Sequence, residues 1–326
     1  MLDGMESLSG EMVLGSDWHL ACWYGRGSTK SEIYRKKADM SPISFAQNYE
    51  SRWVGTVDGA LININKFLNL RTLSKSEIKA EKDGEYYLGV DVARSADTSN
   101  NQTSISVIKV IRNKNNKIQS LNLINIINIS NALNFTDQAR EVKKAKLQYN
   151  ARMAVVDTNG LGVGLCDELM KESFDPQTGK SLGCWDTINT EAKPETDGAE
   201  RCIFDLKPQS ANSQTIVCFI GMVDGGKLRL LEKKQNTDYD INDNDNYIKN
   251  VLPFINTDLL IEEVANLKLK QLTGGKLAVE KLLSKINKDR YSSLSYVLWY
   301  IDTYESNIND TSVDQFEILT QYTGFF

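Results

Sequence analysis

The sequence predicts an α/β fold: a mixed sheet in which three antiparallel strands are followed by parallel strands, flanked by helices on both faces. Three observations predict it. Apolar runs of strand length, YYLGVDVA, TSISVIKVI and IQSLNLINIINIS, follow one another from Tyr86, the last two joined by the turn-forming RNKNNK. Two helical stretches, FTDQAREVKKAKLQY and LGVGLCDELMKE, then bracket a short buried run, MAVVDTNG. Strands joined by a tight turn pair antiparallel, whereas a strand reached through a crossover helix pairs in parallel. The strand ending at Asp157 is therefore expected beside the first one, which ends at Asp91.

The elements read in chain order as follows. Residues 1–79 form an N-terminal segment of different character, with the single histidine, His19, and Trp18, Trp23 and Trp53. Within it SPISFAQNYESRW repeats Phe45, Tyr49 and Trp53 at helical spacing behind a Ser-Pro start signal. The charged stretch SKSEIKAEKDGE marks a boundary, and residues 80–326 form the main domain. In the first main-domain helix Phe135, Ala139, Val142 and Tyr149 share one face, with Lys143, Lys144 and Lys146 placed elsewhere around it. Residues 171–210 read as a long loop-rich stretch around GCWDTINT. QTIVCFIGMVDGGKLRLLEKK reads as a helix and a short strand, and QNTDYDINDNDNYIKN (residues 235–250) as a solvated acidic loop. LLIEEVANLKLKQ is helical or mixed, and DRYSSLSYVLWYIDTYE is a closing helix with Leu294, Val297 or Leu298, Ile301 and Tyr304 on one face.

Composition narrows the chemistry. The chain has 326 residues, 38 basic and 43 acidic, for a net charge of −5. One histidine excludes His-based metal sites, and its place in the N-terminal segment argues against a catalytic role. The cysteines, Cys22, Cys166, Cys184, Cys202 and Cys218, form no CxxC pair, which points to free, mostly buried thiols and a reducing compartment. The N-terminus lacks the apolar run of a signal peptide, and no stretch is long enough to span a membrane.

Carboxylates remain. Asp91 and Asp157 each end an apolar strand, where functional groups of an open α/β sheet project into its crevice. A carboxylate behind four or five apolar residues needs a partner or a metal to stay ionised. Capping of the following loop explains each one singly. Two at equivalent positions on adjacent strands point to a shared all-oxygen metal site that selects Mg2+ or Mn2+. Gly160, Gly162 and Gly164 show G-x-G-x-G spacing, which lacks the third position of the dinucleotide fingerprint and reads as close helix–strand packing. No Walker A loop is present: GRGSTKS at residues 25–31 lacks its spacing. Asp289 opens the closing helix, where a capping role is equally open, and Asp302 falls deeper in it.

LGVDVA with its polar loop, AVVDTNGLGVGLCDEL and KDRYSSLSYVLWYI together resemble the C-terminal nuclease domain of tailed-bacteriophage terminase large subunits over about residues 80–305. The N-terminal stretch resembles the end of the terminase ATPase domain and its linker; the ATPase motifs themselves are missing. The resemblance implies a ribonuclease H-like (RuvC-type) fold and a metal-dependent endonuclease that cuts double-stranded DNA concatemers during viral genome packaging, with little sequence preference. It implies two ions, Mg2+ or Mn2+, with Asp91 bridging both and Asp157 and Asp289 each holding one. One ion lowers the pKa of the attacking water and the other stabilises the leaving 3′-oxygen. Asp302 and Asp97 are the alternatives for the third position. Lys288 precedes Asp289 where relatives often carry another acid or a histidine, and Asn101 stands where many carry an acid. Implied partners are DNA, the terminase ATPase part, the small terminase subunit and the portal protein, in the host cytoplasm and away from membranes. Arg94, Lys143, Lys144 and Lys146 are candidates for contacts to the DNA backbone. Two other classes stay open. A non-cleaving scaffold of the packaging motor keeps the acids as structural groups, and an actin-like or sugar-kinase ATPase requires a Gly-rich phosphate hairpin that RSADTSNN lacks.

Overall fold

The structure is a computed structural model that describes residues 3–6, 12–15, 18–23, 29–39, 49, 59–93, 102–130, 132–234, 244–272 and 275–306. Arg94, Asp97, Asn101 and most of the expected helix over residues 41–53 lie outside the described residues.

The N-terminal pieces are an antiparallel pair, β1 (Asp3–Glu6) with β2 (Met12–Gly15), and two helices, α1 (Trp18–Trp23) and α2 (Lys30–Asp39). Trp18 and Ile33 are buried together there, and His19 stacks on Trp18 with ring centroids 3.7 Å apart.

The next segment packs against the large sheet. Helix α3 (Ile64–Asn69) starts at Asn63, whose side chain accepts the N–H groups of Asn65 and Lys66. Strand β3 (Arg71–Leu73) then joins the edge of an eight-stranded sheet. Leu61, Ile64, Phe67 and Leu70 share a core with Tyr87 and Leu294. Each fully buried side chain of this size contributes roughly 1.5–3 kcal/mol. The charged stretch after β3 is pinned as well: Lys109 and Tyr86 donate to the Glu77 carboxylate at 2.7 and 2.5 Å, and Tyr149 donates to its carbonyl at 2.8 Å.

The centre of the sheet is β4 (Glu85–Asp91), β5 (Thr103–Arg112) and β6 (Ile118–Ile129), all antiparallel. After α4 (Phe135–Tyr149), β7 (Met153–Asp157) returns parallel to β4, as expected. Helix α5 (Leu161–Leu169) follows. Two more parallel strands, β8 (Trp185–Thr187) and β9 (Glu200–Leu206), extend the sheet inside the stretch expected to be loop. Their apolar residues are few and lie among Gly, Asn, Asp and Pro, and burial on both faces leaves no alternation to read. Helix α6 (Pro208–Asp224) and β10 (Leu228–Leu231) match the expected helix and short strand. Residues 235–243 are outside the described set, whereas 244–250 open helix α7 (Asn244–Ala265) instead of a loop. A small antiparallel hairpin, β11 (Leu267–Gln271) with β12 (Leu277–Lys281), precedes α8 (Asp289–Tyr300) and a terminal π-helical turn, Ile301–Glu305.

The sheet order is β3-β10-β6-β5-β4-β7-β9-β8. Alternation along the strands sends Tyr86, Leu88 and Val90 to the face covered by α4 and α5, and Tyr87 to the face covered by α6 and α8. Helices thus cover both faces. None of them, among the described residues, is long and apolar enough to cross a membrane. All five cysteines are free, and Cys166, Cys184 and Cys202 are buried.

Candidate active site

Strand pairing brings the two expected aspartates together. β4 and β7 run in register from Tyr87 opposite Met153 to Val90 opposite Val156, so the next position sets Asp91 beside Asp157. Each lies two residues beyond a position facing α8, so both carboxylates lie on the face that α8 covers. The opposite neighbour of Asp91 is Ser104 on β5.

Small residues let α8 bring the third aspartate down onto these strands. A Cβ at Gly89 would stand 2.0 Å from the carbonyl oxygen of Ser293, so glycine is required there for contact between helix and strand. The Ser293 hydroxyl lies 2.8 Å from that of Ser106 and donates to that of Ser104 at 3.3 Å, which satisfies three buried hydroxyls at the same crossing. One turn earlier, Asp289 accepts the Gln102 N–H at 3.0 Å, just ahead of β5. One turn later, Tyr296 donates its hydroxyl to Asp157 at 3.3 Å. The other Asp157 oxygen accepts the Asn159 N–H at 2.8 Å, the loop-capping role that the sequence left open. Gly162 answers a separate steric demand, since a Cβ there would lie 1.7 Å from the Asp157 carbonyl.

The electrostatics reflect this crowding. Burial, then the charges of Asp289 and Asp157, push the Asp91 carboxyl well above the ordinary carboxylate range, with Lys288 opposing them. Burial also raises Asp157 and Asp289; the Asn159 and Gln102 N–H groups, respectively, pull them back most. Lys288 lowers all three, and Lys281 and Arg290 lower Asp289. Burial and the charges of Asp91 and Asp157 hold the Tyr296 phenol protonated, so it acts as a donor.

Two groups escaped the sequence reading. Tyr296 read only as part of an apolar helix. Glu263 on α7 is 2% exposed; its charge raises Asp91, and the charge of Asp289 raises Glu263 in turn. Burial pushes its carboxyl up to about 7 against the pull of Arg290. The available signal was its position in a buried helical stripe with Leu260 and Val264, where a solvated acid does not belong.

Other expected residues fall elsewhere. Asp302 is exposed in the π-helical turn beside Cys218, thirteen residues past Asp289 and so roughly 20 Å along the helix. Asp97 and Arg94 lie outside the described residues. Two of the three α4 lysines expected at the DNA backbone, Lys143 and Lys146, are buried, while Lys144 is half-buried. Lys143 is fully buried and donates to the carbonyls of Lys171 and Gly183, both at 2.6 Å, and to the Ser173 hydroxyl at 3.0 Å. Lys146 is buried and pairs with Glu200 at 2.6 Å, and Lys144 pairs with Glu141 and Asp175. Long apolar stems buried under a satisfied ammonium explain the misreading.

The donors of the site are carboxylates, which suit a hard divalent cation such as Mg2+ or Mn2+. The repulsion that raises Asp91 is the kind a cation relieves, so the residues fit such an ion in charge and donor type. Among the described residues, however, no three acidic, cysteine or histidine side chains are grouped tightly enough to hold one ion as they stand. Asp157 and Asp289 direct carboxylate oxygens at backbone N–H groups instead.

An α/β sheet with three antiparallel strands, a fourth parallel to the first and acids at the ends of both is a ribonuclease H-like fold. No protein-family model and no curated protein matches the chain. Among solved structures it is similar to the large terminase nuclease of thermophilic phage G20c with bound magnesium, at 15% identity and a TM-score of 0.45 over 74% of this chain and 98% of that one. It is also similar to the HK97 bacteriophage large terminase, at 8% identity and a TM-score of 0.44 over 84% of this chain and 51% of that one. A third likeness is to a mutant nuclease domain of the large terminase subunit of bacterial virus Sf6 with manganese, at 11% identity, a TM-score of 0.39, and 73% and 98% coverage.

Proposed function

We propose that this chain is a divalent-cation-dependent endonuclease that hydrolyses phosphodiester bonds of double-stranded DNA as the nuclease of a tailed-phage packaging motor. The observation that carries the reading is the pairing of β4 with β7, which sets Asp91 beside Asp157, with Asp289 at a helix start near enough that its charge and that of Asp157 raise Asp91. The packaging role, with the ATPase part, small terminase subunit and portal protein as partners, rests on the motifs around these three residues.

Asp91, Asp157 and Asp289 would hold the cations, two of Mg2+ or Mn2+. When bound, such a pair supplies a water of lowered pKa and charge stabilisation at the leaving oxygen. The chain's own groups do the rest. Tyr296 keeps its proton and fixes one oxygen of Asp157. Gln102 and Asn159 orient Asp289 and Asp157 through their backbone N–H groups. Lys281 and Lys288 offset carboxylate charge and provide positive potential toward a phosphate backbone. The chain carries no groove-reading motif, which agrees with cutting at many sequences.

One observation favours a second reading, a nuclease-like scaffold without cleavage: among the described residues, no three acids are grouped so as to hold one ion. A single experiment separates the two. The purified chain is incubated with supercoiled plasmid and Mn2+ or Mg2+, beside Asp91→Asn and Asp157→Asn. Nicking by the parent that is lost with EDTA and in both variants supports the nuclease. Nicking that survives both substitutions, or a parent that is inert with every divalent cation tried, overturns it.

A further inference from the structure

Helix α8 carries the third acid of the site, yet it lacks a cap of its own. Lys288, at its N-cap, makes no side-chain hydrogen bond to the first turn. A serine or aspartate there would satisfy an N–H locally. The role is filled from another helix. One oxygen of Glu263, near the end of α7, accepts the backbone N–H of Arg290 at 2.9 Å and of Tyr291 at 3.1 Å. The other accepts the Arg290 guanidinium at 2.7 Å. The same guanidinium reaches Asn256 at 3.4 Å, and Asn256 donates to the Ile126 carbonyl at 2.8 Å, tying α7 to β6. The two N–H groups that follow Asp289 are thus held by a chain of contacts that starts on the sheet.

This arrangement is costly unless it does something. Glu263 is buried, as are Leu260 and Val264 on the same helix; its charge adds to the repulsion on Asp91, and the charge of Asp289 repels it in turn. Both oxygens are engaged by Arg290 and the helix start, so Glu263 is committed to the backbone and not to an ion. We propose that Glu263 is a positioning residue for the centre described above: by capping α8 from α7 it sets the height and rotation of the turn that carries Asp289. The proposal rests on the nuclease reading for the purpose of that position. Ligand orientation by outer groups of this kind changes metal affinity by about 10- to 100-fold.

The test is Mn2+ binding to the full chain, followed by calorimetry and by the electron paramagnetic resonance of free Mn2+, with thermal unfolding in parallel. Glu263→Gln keeps one acceptor oxygen and loses the charge that pairs with Arg290. It is expected to weaken Mn2+ binding about tenfold at temperatures where the variant is fully folded, and to raise the Mn2+ concentration needed for half-maximal nicking by the same factor. A purely structural role would lower the melting temperature and leave Mn2+ affinity in place, and that result overturns the proposal. If Glu263→Gln does not fold, Arg290→Lys decides in its place: it retains a cation but loses the forked contact, and unchanged Mn2+ affinity there overturns the proposal equally. Asp91→Asn keeps the two readings apart. Loss of Mn2+ binding in Asp91→Asn with parental binding in Glu263→Gln removes only the positioning role, whereas parental binding and nicking in Asp91→Asn remove the nuclease reading itself.

Discussion

Gly89 on β4 and Ser293 on α8 are in direct backbone contact: the space a Cβ would take at Gly89 lies 2.0 Å from the Ser293 carbonyl oxygen. The closeness of that crossing determines how far Asp289 descends toward Asp91 and Asp157. Gly89→Ala forces the helix away from the strand, and overpacking against backbone is poorly relieved. The expected cost is about 2–3 kcal/mol by urea denaturation, together with loss of metal-dependent nicking. A variant as stable and active as the parent contradicts the crossing.

If the three aspartates hold a cation as proposed, proton and cation compete for the same carboxylates. Asp91 is raised in the folded state, so the folded protein binds protons more readily than the unfolded chain over the window above the ordinary carboxylate range. Stability from this group is fully present below the unfolded value and is lost as pH rises through the folded one. Glu263, raised to about 7, acts in the same direction from its ordinary 4.5 upward. Mg2+ or Mn2+ is therefore expected to raise the melting temperature at about pH 8 and to do little at about pH 5.5. Equal stabilisation at both values in scanning calorimetry contradicts the assignment.

Tyr296 has a narrower role. Tyr296→Phe removes the hydroxyl that donates to Asp157 at 3.3 Å and leaves the ring packing intact. The expected loss is about 1 kcal/mol of stability and a roughly tenfold rise in the Mn2+ concentration that supports cleavage. An unchanged Mn2+ dependence indicates that Asp157 is oriented by Asn159 alone.

Lys143 separates folding from chemistry. Lys143→Ala strands the carbonyls of Lys171 and Gly183 and the Ser173 hydroxyl inside the protein. It is expected to destabilise the chain by about 2–4 kcal/mol while the folded fraction nicks DNA at the parental rate. Loss of DNA affinity in the folded variant, measured by fluorescence anisotropy, would return Lys143 to the DNA-facing surface.

The central part of the fold was legible because its signals are local. RNKNNK marks a hairpin, apolar runs mark β4 to β7, and Asp91 and Asp157 stand out as charges closing such runs. Asp289 carried no comparable signal, since the first residue of a helix is acidic in many proteins; only its neighbours KDRYSSLSYVLWYI singled it out. Glu263 was hidden because its partners, the N–H groups of Arg290 and Tyr291, belong to another helix. Lys143 was hidden because a buried ammonium reads the same as a solvated one when its acceptors come from Lys171 and Gly183. β9 was hidden because ERCIFDL sits between turn-rich stretches and is buried on both faces.

The position of α8 has a consequence for timing. Asp91 and Asp157 lie on β4 and β7, but the helix bearing Asp289 is, among the described residues, the last in chain order to pack across β4 and β5. During synthesis the central strands are therefore made before all three acids are on the chain. Whatever chemistry those acids perform waits until α8 has been made, so a chain that stops before Asp289 carries an incomplete centre.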